Sequence, residues 1–481
     1  MRVQKIWKMG IMLLLIMSLV SGCFGNDSES ESVKKVKGTI KVVYQDEEAF
    51  YRDYGQLFKL KHPEIDVEVV SKSELYSKFN QPDFDFGKES QKLLDKYQPD
   101  VLLLDEEKYK EFAQGGKLYA IDGAIKQDRF DIEGFMPGLI DRLKVLGKGT
   151  LYGLTPSIDT SVLYYNRDIF KEHNIEPPRN QMSWKEFFEL AARVTNAGSK
   201  DKHLYAIDQD IGGADSLMYR IATSTALRLF DAKGEKLLID SADWKEAIRQ
   251  ATDAARSKAL YTPTQKGPQP VEPEKGLFFT GQAAMKLGNP WDLRVLRDKK
   301  GAKINWDVVT TPVDPLTPNE TGDVYFRDIY AIAANSQNKD AAWEFIKFVN
   351  GEDMAKVTSR TNVGMIPSIP SRPEYFKELD GRSTEAFYAL KLKEFSSMDV
   401  LWGNKNVPEE YISSFQALLN EALQAILDNE KSVEEAVNEL QMKGQEALRV
   451  AHELQQKTRL NGKITNKIVR HRWKNPLKPK L

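Results

Sequence analysis

Apolar and polar residues alternate in Thr39-Ile-Lys-Val-Val-Tyr44 and again in Ile65-Asp-Val-Glu-Val-Val70, and each run predicts a strand. Between them, Ala49 to Leu60 repeats its apolar residues at helical spacing and stops before His62-Pro63. Gln81 to Gly87 reads as loop, Glu89 to Tyr97 as helix, and Pro99-Asp-Val-Leu-Leu-Leu104 as a buried strand with Asp105 at its exit. Strand, helix, strand units at this spacing predict a mixed, mostly parallel α/β sheet covered by helices. Ligands of such sheets sit where strands end, which groups Tyr44, Asp46, Asp105 and Asp159 at one mouth.

Asp159 precedes the β-prone run Ser161-Val-Leu-Tyr-Tyr165, in which Tyr164 and Tyr165 suit sheet packing. Pro177-Pro178 ends the short helical piece that follows. Ser183-Trp-Lys-Glu186 has the form of a capping box and opens a helix with Phe187, Phe188, Ala191 and Val194 on one face. Residues 183–298 read as mostly helical, interrupted by a strand at Ala283 to Leu287 and a turn, Gly288-Asn-Pro290, that presents Trp291. Trp306 to Val309 and Asp328 to Ala333 predict strands, with a Pro-, Thr- and Asn-rich loop from Thr311 to Gly322 between them. Ala342, Phe345, Ile346 and Val349 repeat at helical spacing before Gly351. Further helices are expected over Glu409 to Asp428 and after the capping box at Ser432-Val-Glu-Glu435.

A chain of 481 residues exceeds one ordinary core, so two or three domains are expected. A formal charge of −1 argues against nucleic acid as a partner of the whole chain. That sum hides an asymmetry, because residues 457–481 carry nine Lys or Arg and no acid. This basic tail reads as a solvated charge run or as a segment that touches anionic lipid or polymer. Arg2, Lys5 and Lys8 precede a short apolar core, Ile11 to Val20, so residues 1–22 read as an export signal. The only cysteine is Cys23, and Leu19-Val-Ser-Gly-Cys23 resembles the bacterial lipoprotein box, in which the cysteine carries the lipid. Residues 23–37 are polar and read as a flexible tether.

Enzyme readings find little support. Gly147-Lys-Gly-Thr150 lacks the spacing of a phosphate loop, and the five histidines include no His-Glu-x-x-His pair. No nucleophile with an attached base stands out, so no catalytic residue, cofactor or metal is expected.

An ordered set of motifs then carries a resemblance. It comprises Pro99-Asp-Val, Ala113-Gln-Gly-Gly116, Tyr152-Gly-Leu with Leu163-Tyr-Tyr-Asn-Arg-Asp168, and Gly281-Gln-Ala-Ala-Met285 with Gly288-Asn-Pro-Trp291. Ala341-Ala-Trp-Glu-Phe-Ile-Lys-Phe348, Gly364-Met-Ile-Pro367 and Ser432-Val-Glu-Glu-Ala436 complete it. The chain, from about Gly38 to Leu448, is similar to the extracellular solute-binding proteins of sugar-type ABC importers, the family of maltose-binding protein.

The resemblance implies a two-lobed α/β fold with a ligand cleft between lobes. Residues 38–158 and 324–367 would form one lobe, and residues 159–312 and 373–450 the other. Hinge crossings would lie near Asp159 and at 313–323 and 368–372. It implies a carbohydrate ligand, ABC permease subunits as partners, a monomer, and a place on the extracytoplasmic face of the cell membrane through the lipid on Cys23. Trp291 would stack on a sugar ring, with Asn289 beside it, and Asp159, Asp105 and Glu107 would contact hydroxyls. Tyr44 and Asp46 match the first binding loop by position. Tyr325, Arg327, Asp328, Trp402 and Asn404 are candidates because they lie in loops near crossings. Blander readings stand beside these: Trp291 as core, Asp159 as a turn residue, Asp46 and Asp105 as solvated loop. Trp184 and Trp343 read as core. The rival function is a surface or sensory lipoprotein of the same fold, and an exported carbohydrate-active enzyme is a third.

Overall fold

The computed structural model describes residues 36–79, 81, 84–199, 203–209, 213–262, 276–297, 304–360 and 368–474. The export signal, Cys23, most of the tether, the Gly364-Met-Ile-Pro367 motif and residues 475–481 lie outside them.

Two lobes are built on two mixed sheets. The first has strand order β2-β1-β3-β12-β4, where β1 is Gly38–Tyr44, β2 Ile65–Ser71, β3 Val101–Leu104, β4 Gly153–Leu154 and β12 Ile329–Ile332. The alternating residues of β1 and β2 pair in parallel along their whole length, from Gly38 with Ile65 to Tyr44 with Ser71. β3 is buried at every position and joins β1 in parallel, whereas β12 returns antiparallel between β3 and β4.

The second sheet has order β7-β8-β6-β9, with β6 Val162–Asn166, β7 Tyr205–Gln209, β8 Ala283–Gly288 and β9 Trp306–Thr310. β7 and β8 are parallel, and β6 is antiparallel to both its neighbours. The parallel expectation therefore holds for β2-β1-β3 and for β7-β8, and not around β12 and β6. β7 was not anticipated: its five residues fall in a stretch read as helical, too short for a period to register.

The apolar stripe of the helix Trp184–Ala197 packs on one face of the second sheet, and both expected capping-box bonds of Ser183 and Glu186 form. Helices Ala242–Arg256, Glu409–Leu427 and the start of Val433–Lys474 complete that core through Trp244, Phe415 and Leu440. The helix Phe86–Tyr97 starts earlier than its pattern suggested, because Asp85 caps it by accepting the Lys88 N–H.

A third, small sheet stands between the lobes. Its strands are β11, Val324–Tyr325, β5, Ser157–Thr160, and β13, Ile369–Pro370, in that order. In chain order β5 lies between β4 and β6, while the short β10, Glu320–Thr321, and then β11 lie between β9 and β12, so the chain passes from sheet to sheet at β5 and at β11. After β13 the chain packs on the second sheet, where Phe387 meets Tyr164 and Arg382 donates to the Trp306 carbonyl. Arg372 clamps this passage. It is buried, donates to Asp131 at 2.7 Å and to the Asn350 carbonyl at 2.9 Å, and stacks on Phe135.

Candidate functional site

A cleft of about 1590 Å³ opens beside the small sheet. One wall is the edge where β1, β2 and β3 end and β12 begins, since Tyr44 pairs with Ser71 and Leu104 with Ile329. That topology brings Tyr44, Lys72, Asp105 and Asp328 together. The opposite wall comes from residues 396–412, including Trp402 and Asn404.

Across the small sheet Asp159 faces Tyr325 in register. The Asp159 carboxylate accepts two bonds from Arg327, at 2.6 and 3.0 Å, and both side chains border the cleft. Asp159 is 12% exposed and Arg327 52%, so the pair presents a cation to the opening. Burial pushes the Asp328 carboxyl up, against the opposing pull of Lys72 and Arg327. Burial likewise pushes the Lys72 amine down, and its ammonium donates to the Leu103 carbonyl at 3.3 Å. The Tyr325 hydroxyl is raised by burial and by Asp323.

Nine of the expected residues border this cleft: Tyr44, Asp105, Glu107, Asp159, Tyr325, Arg327, Asp328, Trp402 and Asn404. Several also hold the fold. The Tyr44 hydroxyl donates to the buried Asp53 at 2.9 Å, and its ring packs edge-on to Phe50 and Tyr54. Asp105 caps the helix Glu106–Gln114 by accepting the Lys108 N–H at 2.8 Å. Trp402 is half-buried against Tyr219, Phe230 and Phe415, and Asn404 donates to the Asp231 carbonyl.

Three expected residues do not border it. Asp46 caps the helical turn Glu47–Phe50, one oxygen of its carboxylate accepting the Ala49 N–H. Trp291 is the second residue of the helix Pro290–Arg297, not the tip of a turn. Proline begins a helix readily, so the ring follows the helix wall and carries Arg294 at 5.2 Å. The Asn289 side chain accepts the Trp291 N–H two residues on, and its backbone carbonyl accepts the hydroxyl of Tyr164, 125 residues away in the chain.

The pattern missed Glu106. It lies beneath the cleft in an ion pair with Arg142 at 2.6 Å, and also accepts the Phe326 N–H at 3.0 Å. Arg142 is fully buried, stacks on Phe326 and donates to the Val324 carbonyl, tying the helix Leu139–Leu146 to β11. A lone Arg in an amphipathic helix gives no hint of a partner 36 residues away. Lys72, one residue past a strand end, was visible by the rule that found Asp105. Among the described residues no three His, Cys, Asp or Glu gather to hold a metal ion, and no helix is long and apolar enough to cross a membrane.

Residues 42–356 match the model of the family described as bacterial extracellular solute-binding protein. The chain belongs to that family. This solute-binding protein is 24% identical over 245 residues to a mannitol-binding protein of Pseudomonas aeruginosa, covering 50% of this chain and 53% of that protein. It is 24% identical over 317 residues to a maltotriose-binding protein of Pyrococcus abyssi, covering 63% of each. The match thus spans about half to two-thirds of these relatives. Its fold is similar to that of a Rhizobium etli sugar transporter in an open conformation, with a TM-score of 0.62 at 22% identity, covering 85% of this chain and 99% of that one.

Proposed function

We propose that this solute-binding protein captures a sugar or oligosaccharide in the cleft and delivers it to the permease subunits of an ABC importer. The observation that carries the reading is the cleft itself, where carboxylates, Lys72 and Arg327 on one side face Trp402 and Asn404 on the other. Hydroxyls take the charged and amide groups, and the apolar face of a sugar ring takes the indole. The names of the relatives point the same way, toward mannitol and maltotriose.

The lobes would be residues 38–158 with 324–367 and residues 159–312 with 373–450, turning about β5, β11 and β13. A ligand that touches both walls only in the closed form shifts the population toward closure. A differential contact of about 5.5 kcal/mol moves such an equilibrium from 1:99 to 99:1. A lipid on Cys23 would hold a monomer at the extracytoplasmic face of the cell membrane.

Titration calorimetry against mono- and oligosaccharides tests the ligand class, and small-angle scattering tests closure. Saturable sugar binding with a fall in radius of gyration is expected. Binding of another solute class, with none for any sugar, overturns the carbohydrate reading.

A further inference from the structure

A row of aromatic rings continues the cleft on the wall of the first sheet. Phe79 is 64% exposed, Tyr76 48% and Phe86 44%. The rings run in sequence: Phe79 to Phe84 at 5.7 Å between centroids, Phe84 to Phe86 at 6.2 Å, and Phe86 to Tyr76 at 6.5 Å. Single exposed aromatics are ordinary, but a contiguous open group marks a contact surface. Tyr76 and Phe86 border the cleft, so the row is continuous with it.

The row is anchored as well as exposed. Tyr76 ends the short helix Ser73–Tyr76, next to the buried Leu75. Phe86 is the first residue of the helix Phe86–Tyr97, fixed by the Asp85 cap. Ser90, on the next turn, borders the same cleft and offers a hydroxyl beside the rings, while the neighbouring Gln91 amide donates to Asp95 and accepts from Lys117.

We infer that Tyr76, Phe79, Phe84 and Phe86 form an outer subsite that stacks the far units of an oligosaccharide. Its near end would lie between Lys72, Asp159, Arg327 and Trp402. The inference rests on the carbohydrate reading of the cleft. Rings interleaved with small polar groups suit a chain whose every unit carries an apolar face and a hydroxyl rim. The space suits it too, since the open cleft of about 1590 Å³ admits more than one sugar unit before the lobes close. Affinity then depends on chain length, rising until the row is covered.

The test is calorimetry on the full-length protein with linear neutral oligomers of glucose, galactose, mannose and xylose, one to six units long. Comparison is with Phe79→Ala/Phe86→Ala and with Phe86→Trp. Each lost ring contact weakens binding roughly two- to tenfold. The double variant should therefore lose about four- to a hundredfold on the longest oligomer bound and under about twofold on one- and two-unit sugars. Phe86→Trp should keep the long-chain affinity. Equal weakening at every length, or none, overturns the subsite. So does self-association in sedimentation velocity that vanishes in the double variant while sugar affinities hold, which assigns the row to a second copy. If the wild-type protein binds no sugar, the carbohydrate reading fails first and the subsite with it.

Discussion

Replacing Arg142 with Met isolates one buried charge. Arg142 is fully buried and Glu106 is 14% exposed, so the pair lies almost wholly out of water. Methionine fills the space of the side-chain stem but removes the guanidinium, with its stacking on Phe326 and its bond to the Val324 carbonyl. Glu106 would keep only the Phe326 N–H as its bonded partner at this site. Breaking a buried pair by removing one member costs about 3–5 kcal/mol. At about 2 °C per kcal/mol for a large unit, the melting temperature should fall by about 6–10 °C at pH 7.

The loss should also depend on pH, with a definite sign. Burial already raises the Glu106 carboxyl above its ordinary range, and Arg142 opposes that rise. Without Arg142 the carboxyl rises further, by about 1.4 kcal/mol of lost stability for each added unit. A carboxyl raised in the folded state binds more protons there than in the unfolded chain. Stability is then lost as pH rises from the unfolded value, about 4.3, through the folded one. The deficit of Arg142→Met should therefore be largest at neutral pH and shrink toward pH 4. Urea unfolding of both proteins at pH 7 and pH 4 measures it. Arg142→Met/Glu106→Gln should recover to within about 1–2 kcal/mol of wild type, since the amide needs no counter-ion. A loss under about 1 kcal/mol, or an equal loss at both pH values, would refute the reasoning.

Other outcomes follow from the same contacts. Arg327→Ala should cost under about 1 kcal/mol in urea unfolding, because the guanidinium is half exposed and its removal opens the Asp159 carboxylate to water. It should weaken sugar binding at least tenfold in calorimetry, and an unchanged affinity would remove Arg327 from the site. Ser183→Ala should cost about 1 kcal/mol, because it removes the hydroxyl that accepts the Glu186 N–H and leaves that end of the helix uncapped. Trp402→Ala should cost roughly 1–3 kcal/mol for a half-buried ring. It should also abolish any change in tryptophan fluorescence that ligand produces through this residue, and a full signal in the variant would place the reporter elsewhere.

Local chemistry was legible in the sequence because it depends on neighbours in the chain. The alternation in β1 and β2, the capping boxes at Ser183 and Ser432, and Gly351 at its helix end all act within a few residues. The candidates at strand ends were legible for the same reason, and Tyr44, Asp105 and Asp159 of the four border the cleft. Tertiary structure decided the rest. Asp46 and Trp291 read as ligand contacts in one dimension; in the fold one oxygen of the first caps a helical turn, the second lies on a helix, and neither borders the cleft. Arg142 and Glu106, or Asp159 and Arg327, become partners only where distant segments meet, at separations of 36 and 168 residues. A carboxylate becomes a cap, a buried ion or a ligand contact according to which donors reach it first. That competition is settled in space, between groups whose distance along the chain says nothing of their distance in the fold.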